Sequence, residues 1–471
     1  MWAAMARVNG KLVVVSNRGP YRTETRGGRR RLVRAAGGLV AALDPVLRER
    51  GGLWVSAQET DHPQVVQLES DQLPYDLASV KLRRRVQEDF YEGISNAVLW
   101  PLLHSMPPTV RVGTAPWESY RIANTAFAEA TLSDAPRGAR FWIQDYHLML
   151  MPALIRAQRK KARVGWFCHV PWPGPDLFGA LPASRELLEG LLGADLLGFH
   201  TEGYCRNFLD CVSQLTDYQV DVAAKTVKAN GHTVRMLTAP IGVPFADIQQ
   251  TASDPEVLER SKKIQQAVGG RQIVLGVDRL DYTKGIPERL LAFEHLLSSD
   301  RSAANRYVLV QIMVPSRQAV QAYADLKDEI DRMVGDINGR FSVTGRLPVH
   351  YYYRNLPKNE LYAHYVAADA ALITPLRDGM NLVAHEYCAA KTDGTGALVL
   401  SQLAGAASYL EGALIVNPHD IEGTAKTLER ALEMPVAEQK ERMQASRTEV
   451  HKLDVHRWAD RFLRELEETR R

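Results

Sequence analysis

What most constrains this chain is its alternation of short apolar runs with amphipathic helical patterns. Leu12-Val13-Val14-Val15-Ser16 is β-branched and of strand length, and Gly37-Gly38 then opens a helical pattern over residues 39–50. Similar runs recur at residues 53–56, 141–143, 164–167 and 196–199, with helical patterns at 186–192 and 203–213. Short runs that are apolar throughout fit strands buried on both faces. The alternation predicts an open parallel sheet with helices on both sides. The pattern pauses at Pro240-Ile241-Gly242-Val243-Pro244 and resumes with a charged helix over residues 256–268. A second strand series follows at 272–277, 307–313, 370–374, 397–400 and 413–416, and charged amphipathic helices close the chain over 436–471. At 471 residues the chain is too long for one core. The expected fold is α/β, with two Rossmann-like doubly wound domains over residues 1–240 and 241–454. Ligands of such sheets bind beyond the carboxyl ends of the strands, so a cleft between the domains is the expected site.

Hydrophobic residues make up 45% and charged residues 24%, as in ordinary globular proteins. A net charge of +3 gives no reason to expect a nucleic-acid or membrane partner. The arginine-rich stretch of residues 22–34 lacks interleaved aromatics and is expected to be a solvated loop. No run of about 18 apolar residues predicts a transmembrane helix. Residues 1–11 show no signal-peptide core. Cys168, Cys205, Cys211 and Cys388 have no CxxC or zinc spacing, so buried thiols in a reducing, cytoplasmic compartment are expected.

Four loops at strand ends hold the chemistry. Leu376-Arg377-Asp378-Gly379-Met380-Asn381-Leu382-Val383-Ala384-His385-Glu386 runs from a strand through a glycine loop into a helix. Backbone N–H groups and the positive end of a helix dipole form an anion site. Asp378 and Glu386 add carboxylates for sugar hydroxyls, a combination that a nucleotide sugar needs. The same residues also fit an ordinary βα turn with a solvated Asp and Glu. The loop from Asp278 to Gly285 carries Arg279 and Lys284, enough charge for a diphosphate, or for surface pairs with Asp278 or Asp281. The other two loops hold Asp145 and His169; a lone histidine is commonly structural. No metal triad, Ser-His-Asp order, Walker loop or G-x-G-x-x-G fingerprint is present.

The motifs taken together resemble the trehalose-phosphate synthases, retaining glycosyltransferases of the GT-B fold. The similarity is carried by Val13-Val14-Val15-Ser16-Asn17-Arg18, Ala36-Gly37-Gly38-Leu39, Ser95-Asn96-Ala97-Val98-Leu99-Trp100-Pro101, Asp145-Tyr146-His147-Leu148, His169-Val170-Pro171, Arg279-Leu280-Asp281-Tyr282-Thr283-Lys284-Gly285 and Thr374 to Val383. The resemblance covers the synthase domain only. It implies a returning helix over about residues 455–471 that joins the first domain. It implies transfer of glucose from a nucleotide-diphosphate glucose, foremost UDP-glucose, to glucose 6-phosphate. Small-molecule substrates, no cofactor and no metal are expected, and a homo-oligomer is left open.

Carried over residue by residue, Arg279 and Lys284 would hold the diphosphate and Glu386 the ribose. Asp378 with Gly379, Met380 and Asn381 would hold the donor sugar, and Leu382 and Val383 would offer N–H groups to phosphate. His169 would contact the donor sugar, and Gly38 would let its loop approach the phosphates. Arg18, Tyr91, Trp100, Asp145 and Arg317 match positions that bind the acceptor; Asp145, His169, Arg279, Lys284 and Asp378 form the expected catalytic set. Two positions depart from the family pattern. Ala57 stands where many members have an aromatic, and Gln144 stands where the motif often reads Ile-His-Asp-Tyr-His. Relatives with the same donor loop use other acceptors, as glucosylglycerol-phosphate synthases and validoxylamine-phosphate pseudo-glycosyltransferases do. A non-catalytic sugar-phosphate sensor is the remaining alternative.

Overall fold

The structure is a computed structural model that describes residues 12–26, 29–34, 38–58, 74–106, 112–300, 302–317, 320–343 and 345–469. The chain divides into two compact units, Met1–Ile241 with Val455–Arg471, and Gly242–Asp454.

The strands of the first unit are β1 (Leu12–Val15), β2 (Tyr21–Arg26), β3 (Arg29–Arg34), β4 (Leu53–Ala57), β5 (Asp76–Val80), β6 (Arg140–Gln144), β7 (Arg163–Phe167), β8 (Leu196–Phe199), β9 (Gln219–Asp221), β10 (Thr226–Ala229) and β11 (His232–Thr238). Among the described residues, nine of these form one sheet in the order β5-β4-β1-β6-β7-β8-β11-β10-β9. Pairing is parallel from β5 to β11 and antiparallel along β11-β10-β9. The chain winds from β1 out to β5 on one side and restarts at β6 on the other. The loops after β1 and β6 therefore flank a topological switch point, where doubly wound sheets bind ligands.

The arginine-rich stretch expected as a solvated loop is instead an antiparallel pair, β2 with β3, placing Tyr21 opposite Arg34. Thr23, Thr25, Leu32 and Val33 supply strand propensity, and cross-strand pairing satisfies backbone groups that a loop would leave to water.

The helix Val455–Glu468 belongs to the first unit because of its apolar stripe. Val455, Trp458, Ala459, Phe462, Leu463 and Leu466 recur at helical spacing and are all buried. Trp458 and Phe462 pack on Trp142 of β6, with ring centroids 4.9 and 5.0 Å away. On the outer face Glu465 pairs with Arg235 at 2.8 Å, and Glu467 with Arg140.

The second unit holds β12 (Gln272–Arg279), β13 (Tyr307–Val314), β14 (Val349–Tyr353), β15 (Ala370–Ile373), β16 (Ala397–Ser401) and β17 (Leu414–Val416). These six pair parallel in the order β14-β13-β12-β15-β16-β17. Both faces are covered. Ile273, Leu275 and Val277 enter one apolar core while Val274 enters the other, as the two-residue period of a strand requires. Here the switch point lies between β12 and β15. No helix among the described residues is long and apolar enough to cross a membrane. Cys168, Cys205, Cys211 and Cys388 are all buried free thiols.

Candidate active site

In the second unit two loops meet at the switch point and are stitched by their backbones. β12 runs through Asp278 and Arg279, so strand alternation buries Asp278 and exposes Arg279. The following turn, Tyr282–Lys284, is capped by Asp281, whose Oδ1 accepts from the Thr283 N–H (3.1 Å) and hydroxyl (2.9 Å). Gly285 has φ 60°, and a Cβ there would stand 2.0 Å from the Thr374 carbonyl oxygen. Only glycine permits that approach. It lets the Thr283 carbonyl accept from Leu376 N–H at 2.8 Å and the Gly285 carbonyl accept from the Thr374 hydroxyl at 3.0 Å. Lys284 Nζ thereby reaches Asp378 Oδ2 at 2.6 Å, with both side chains nearly buried. Asn381 Nδ2 donates to the same oxygen at 3.1 Å. From below, Gly405 cradles the loop: its N–H donates to Asp378 O at 3.1 Å, and a Cβ would stand 2.0 Å from Gly379 O.

The helix Leu382–Ala390 starts here. Asn381, with φ 73°, caps it by accepting from Ala384 N–H at 3.2 Å. That leaves the N–H groups of Leu382 and Val383 without a partner among the described residues, as an anion site requires. Glu386, one turn on, accepts from the Tyr365 hydroxyl at 2.8 Å, and burial pushes its carboxyl above the usual range. The structure thus brings Arg279, Lys284, Asp378, Gly379, Met380, Asn381, Leu382, Val383 and Glu386 to one strand-end crevice. Asp278 pairs with Arg289 (2.6 Å) and Asp281 with Arg317 (3.4 Å), and the charges of Arg317, Lys284 and Arg279 act together on the Asp281 carboxyl.

In the first unit, Arg18 follows β1 and its Nη2 donates to the Tyr91 hydroxyl at 2.5 Å. Tyr91 lies in Asp89–Leu99, a π-helical segment whose wider turn shows in the Trp100 N–H donating to Ser95 O. Tyr91 stacks on His147 (5.8 Å), and Tyr146 beside it packs on Trp100 (5.9 Å). Asp145 follows β6 with φ 71° and ψ 173°, a conformation that costs a non-glycine residue on the order of 1–3 kcal/mol. Its surroundings enforce it. Its N–H donates to Phe167 O (2.8 Å), its carbonyl accepts from Trp166 Nε1 (3.1 Å), and its Oδ1 accepts from His169 N–H (3.2 Å). His169 Nε2 bonds Gln144 Oε1 at 2.8 Å, and burial with His200 nearby holds the imidazole well below its ordinary range. Arg18, Tyr91, Trp100, Asp145 and His169 are therefore joined through contacts within this unit. Arg317 belongs to the second unit, where it contacts Asp281 and the Tyr323 hydroxyl. Gly38 begins the helix Gly38–Arg50, but Ala36 and Gly37 of its motif lie outside the described residues.

A sequence profile described as glycosyltransferase family 20 matches residues 10–468. The chain belongs to glycosyltransferase family 20. Its fold class is GT-B, and it is a glycosyltransferase. The trehalose-6-phosphate synthase of Mycobacterium avium (strain 104) is 43% identical over 475 residues, covering 98% of this chain and 96% of that protein. An alpha,alpha-trehalose-phosphate synthase (UDP-forming) from Burkholderia xenovorans, solved in complex with glucose-6-phosphate, superposes with a TM-score of 0.90 at 36% identity, over 97% of this chain and 100% of that one. An E. coli structure bound with UDP-2-fluoro glucose gives 0.88 at 36% identity, over 98% and 99%.

Several family 20 site partners were not among the sequence candidates. Tyr365 bonds Glu386 from a helix outside the strand-end loops, and His147, inside the Asp145-Tyr146-His147-Leu148 stretch, stacks on Tyr91. His385, beside Glu386, is fully buried with neither ring nitrogen partnered among the described residues, and burial lowers its pKa to about 4. Its signal was visible only as a polar letter inside an apolar helix run.

Glu386→Gln is expected to raise the donor Michaelis constant about tenfold, the value of a hydrogen bond to a charged group, while leaving that of the acceptor within twofold. Initial-rate kinetics with each substrate varied in turn will check this; an effect confined to the acceptor would place Glu386 on the other substrate.

Proposed function

We propose that the chain moves glucose from a nucleotide-diphosphate glucose, UDP-glucose first, to glucose 6-phosphate with retained configuration, giving α,α-trehalose 6-phosphate. The observation that carries this reading is the Lys284–Asp378 pair at 2.6 Å beside the unused N–H groups of Leu382 and Val383. Such a crevice offers cations and amides to a diphosphate and a fixed carboxylate to sugar hydroxyls. The complexes solved for the two structural relatives support the substrate pair. The bond from the anomeric carbon to the phosphate oxygen breaks as the acceptor oxygen bonds that carbon on the same face. The acceptor proton passes to the departing phosphate, and Arg279 and Lys284 stabilise the charge that develops there. No metal or cofactor enters the proposal. Four buried thiols support a cytoplasmic location.

Ala57 favours a second reading, in which another phosphorylated acceptor is used. It ends β4, is partly exposed, and its N–H donates to Asn17 O at 3.1 Å beside Arg18. A large ring there would add a wall at that end of the sheet, and Ala57 supplies none. A donor-by-acceptor activity matrix decides between them. It pairs UDP-, GDP- and ADP-glucose with glucose 6-phosphate, glycerol phosphate, a cyclitol phosphate and unphosphorylated glucose. The expected result is turnover highest with UDP-glucose and glucose 6-phosphate. Preference for another phosphate overturns the product but keeps the transferase; binding without release of nucleotide makes the chain a sensor.

A further inference from the structure

We infer that Gln144 is a positioning residue that locks His169 with its proton on Nε2, so that the ring presents its Nδ1 lone pair to a hydroxyl of the donor sugar. The inference rests on the proposed function for the identity of that sugar, but the lock itself rests on geometry alone. Gln144 ends β6 and is fully buried. Its Nε2 stands 3.2 Å from the Trp142 carbonyl oxygen. A carbonyl only accepts, so the amide nitrogen must face it, and Oε1 must face His169. Oε1 also only accepts. The hydrogen bond to His169 Nε2 at 2.8 Å therefore requires the proton on that nitrogen.

The rest of the ring's surroundings keep it neutral. Phe167, His200 and Trp458 wall it with centroids at 4.9, 5.6 and 5.9 Å. Of the titratable groups facing it, His200 opposes a second positive charge, and the Asp145 carboxylate accepts from the His169 backbone N–H rather than from the ring. Burial and His200 hold the imidazole well below its ordinary range. A neutral ring protonated on Nε2 has a lone pair on Nδ1, which has no partner among the described residues. That lone pair accepts from an O–H and repels a phosphate oxygen. His169 is thereby fitted to a sugar hydroxyl and unfitted to the diphosphate or to proton donation. Glutamine does not titrate, so the lock holds across pH.

The test is nitrogen NMR of the full chain labelled at histidine, with the His169 signals assigned by difference against His169→Asn. The expected spectrum shows a protonated Nε2 and a bare Nδ1, unchanged between about pH 5.5 and 8. Gln144→Met keeps the length and removes the acceptor. It should give a mixture of tautomers and lower kcat about tenfold, with the acceptor KM within twofold. A wild-type proton on Nδ1, or an unchanged tautomer in Gln144→Met, overturns the lock. A changed tautomer with unchanged transfer kinetics overturns the sugar contact. Absence of any turnover by wild type with nucleotide sugars would instead count against the proposed function, because the spectra do not depend on substrate.

Discussion

Arg279→Ala is expected to lower transfer about a hundredfold or more, the loss typical of removing one charge-assisted contact to a departing anion. Arg279 ends β12 on its exposed face, and the nearby carboxylates of Asp278 and Asp281 also pair with Arg289 and Arg317. Removing its guanidinium opens no cavity, so the unfolding midpoint should stay unchanged. Lys284→Ala should show the same catalytic loss with a second effect. Its Nζ neutralises Asp378 at 2.6 Å, and both side chains are nearly buried, 11% and 13% exposed. Truncation removes this cation from a nearly buried carboxylate, at a cost of about 1–3 kcal/mol. From sequence alone, both variants would be expected to fold like wild type; the buried pair changes that for Lys284. Steady-state kinetics with saturating donor, run beside urea unfolding, separate the two effects. Near-wild-type turnover in both variants would remove the diphosphate assignment.

Most of the crevice in the second unit could be read from the sequence because it is local. Arg279 to Gly285 and Asp378 to Glu386 are each continuous stretches at strand ends, and strand-end loops at a switch point are where doubly wound sheets bind. The distant partners could not be read. Nothing in the spacing of Tyr365 and Glu386, or of Gln144 and His169, shows that they touch; sheet order creates both contacts. β5, β9, β10, β11 and β14 are not legible because they are short, polar, mixed or tyrosine-rich rather than continuous aliphatic runs. The π-helical turn at Asp89–Leu99 is not legible either. Its apolar Phe90, Ile94 and Val98 recur at ordinary helical spacing, so nothing in the sequence marks the wider turn that carries Tyr91 to His147 and leads into Trp100. Asp145 stands out by its motif, but its strained backbone depends on β7 and the loop after it, some twenty residues on.

Arg289→Met is expected to destabilise the second unit by about 3–5 kcal/mol, the cost of leaving one member of a buried ion pair alone. Arg289 is entirely buried, and its Nη1 donates to Asp278 Oδ2 at 2.6 Å and to Gln311 Oε1 at 3.0 Å. Its Nε and Nη2 have no partner among the described residues. Burial pushes the Asp278 carboxyl above the usual carboxylate range even with Arg289 beside it. Desolvation therefore outweighs attraction at this site, and the pair is not retained for stability alone. What it does is fix the end of β12. Asp278 is drawn inward, so its neighbour Arg279 must point out of the sheet toward the crevice. Each single replacement, Arg289→Met or Asp278→Asn, strands a buried charge or a buried polar group. The double variant Arg289→Met with Asp278→Leu removes both charges, and should recover most of the stability lost by Arg289→Met alone. Its donor Michaelis constant should nevertheless stay raised, because Arg279 is no longer held. Urea unfolding and donor kinetics on the three variants test this together. Single variants within about 1 kcal/mol of wild type would show that the pair is well hydrated. A double variant with wild-type donor affinity would show that β12 places Arg279 without it.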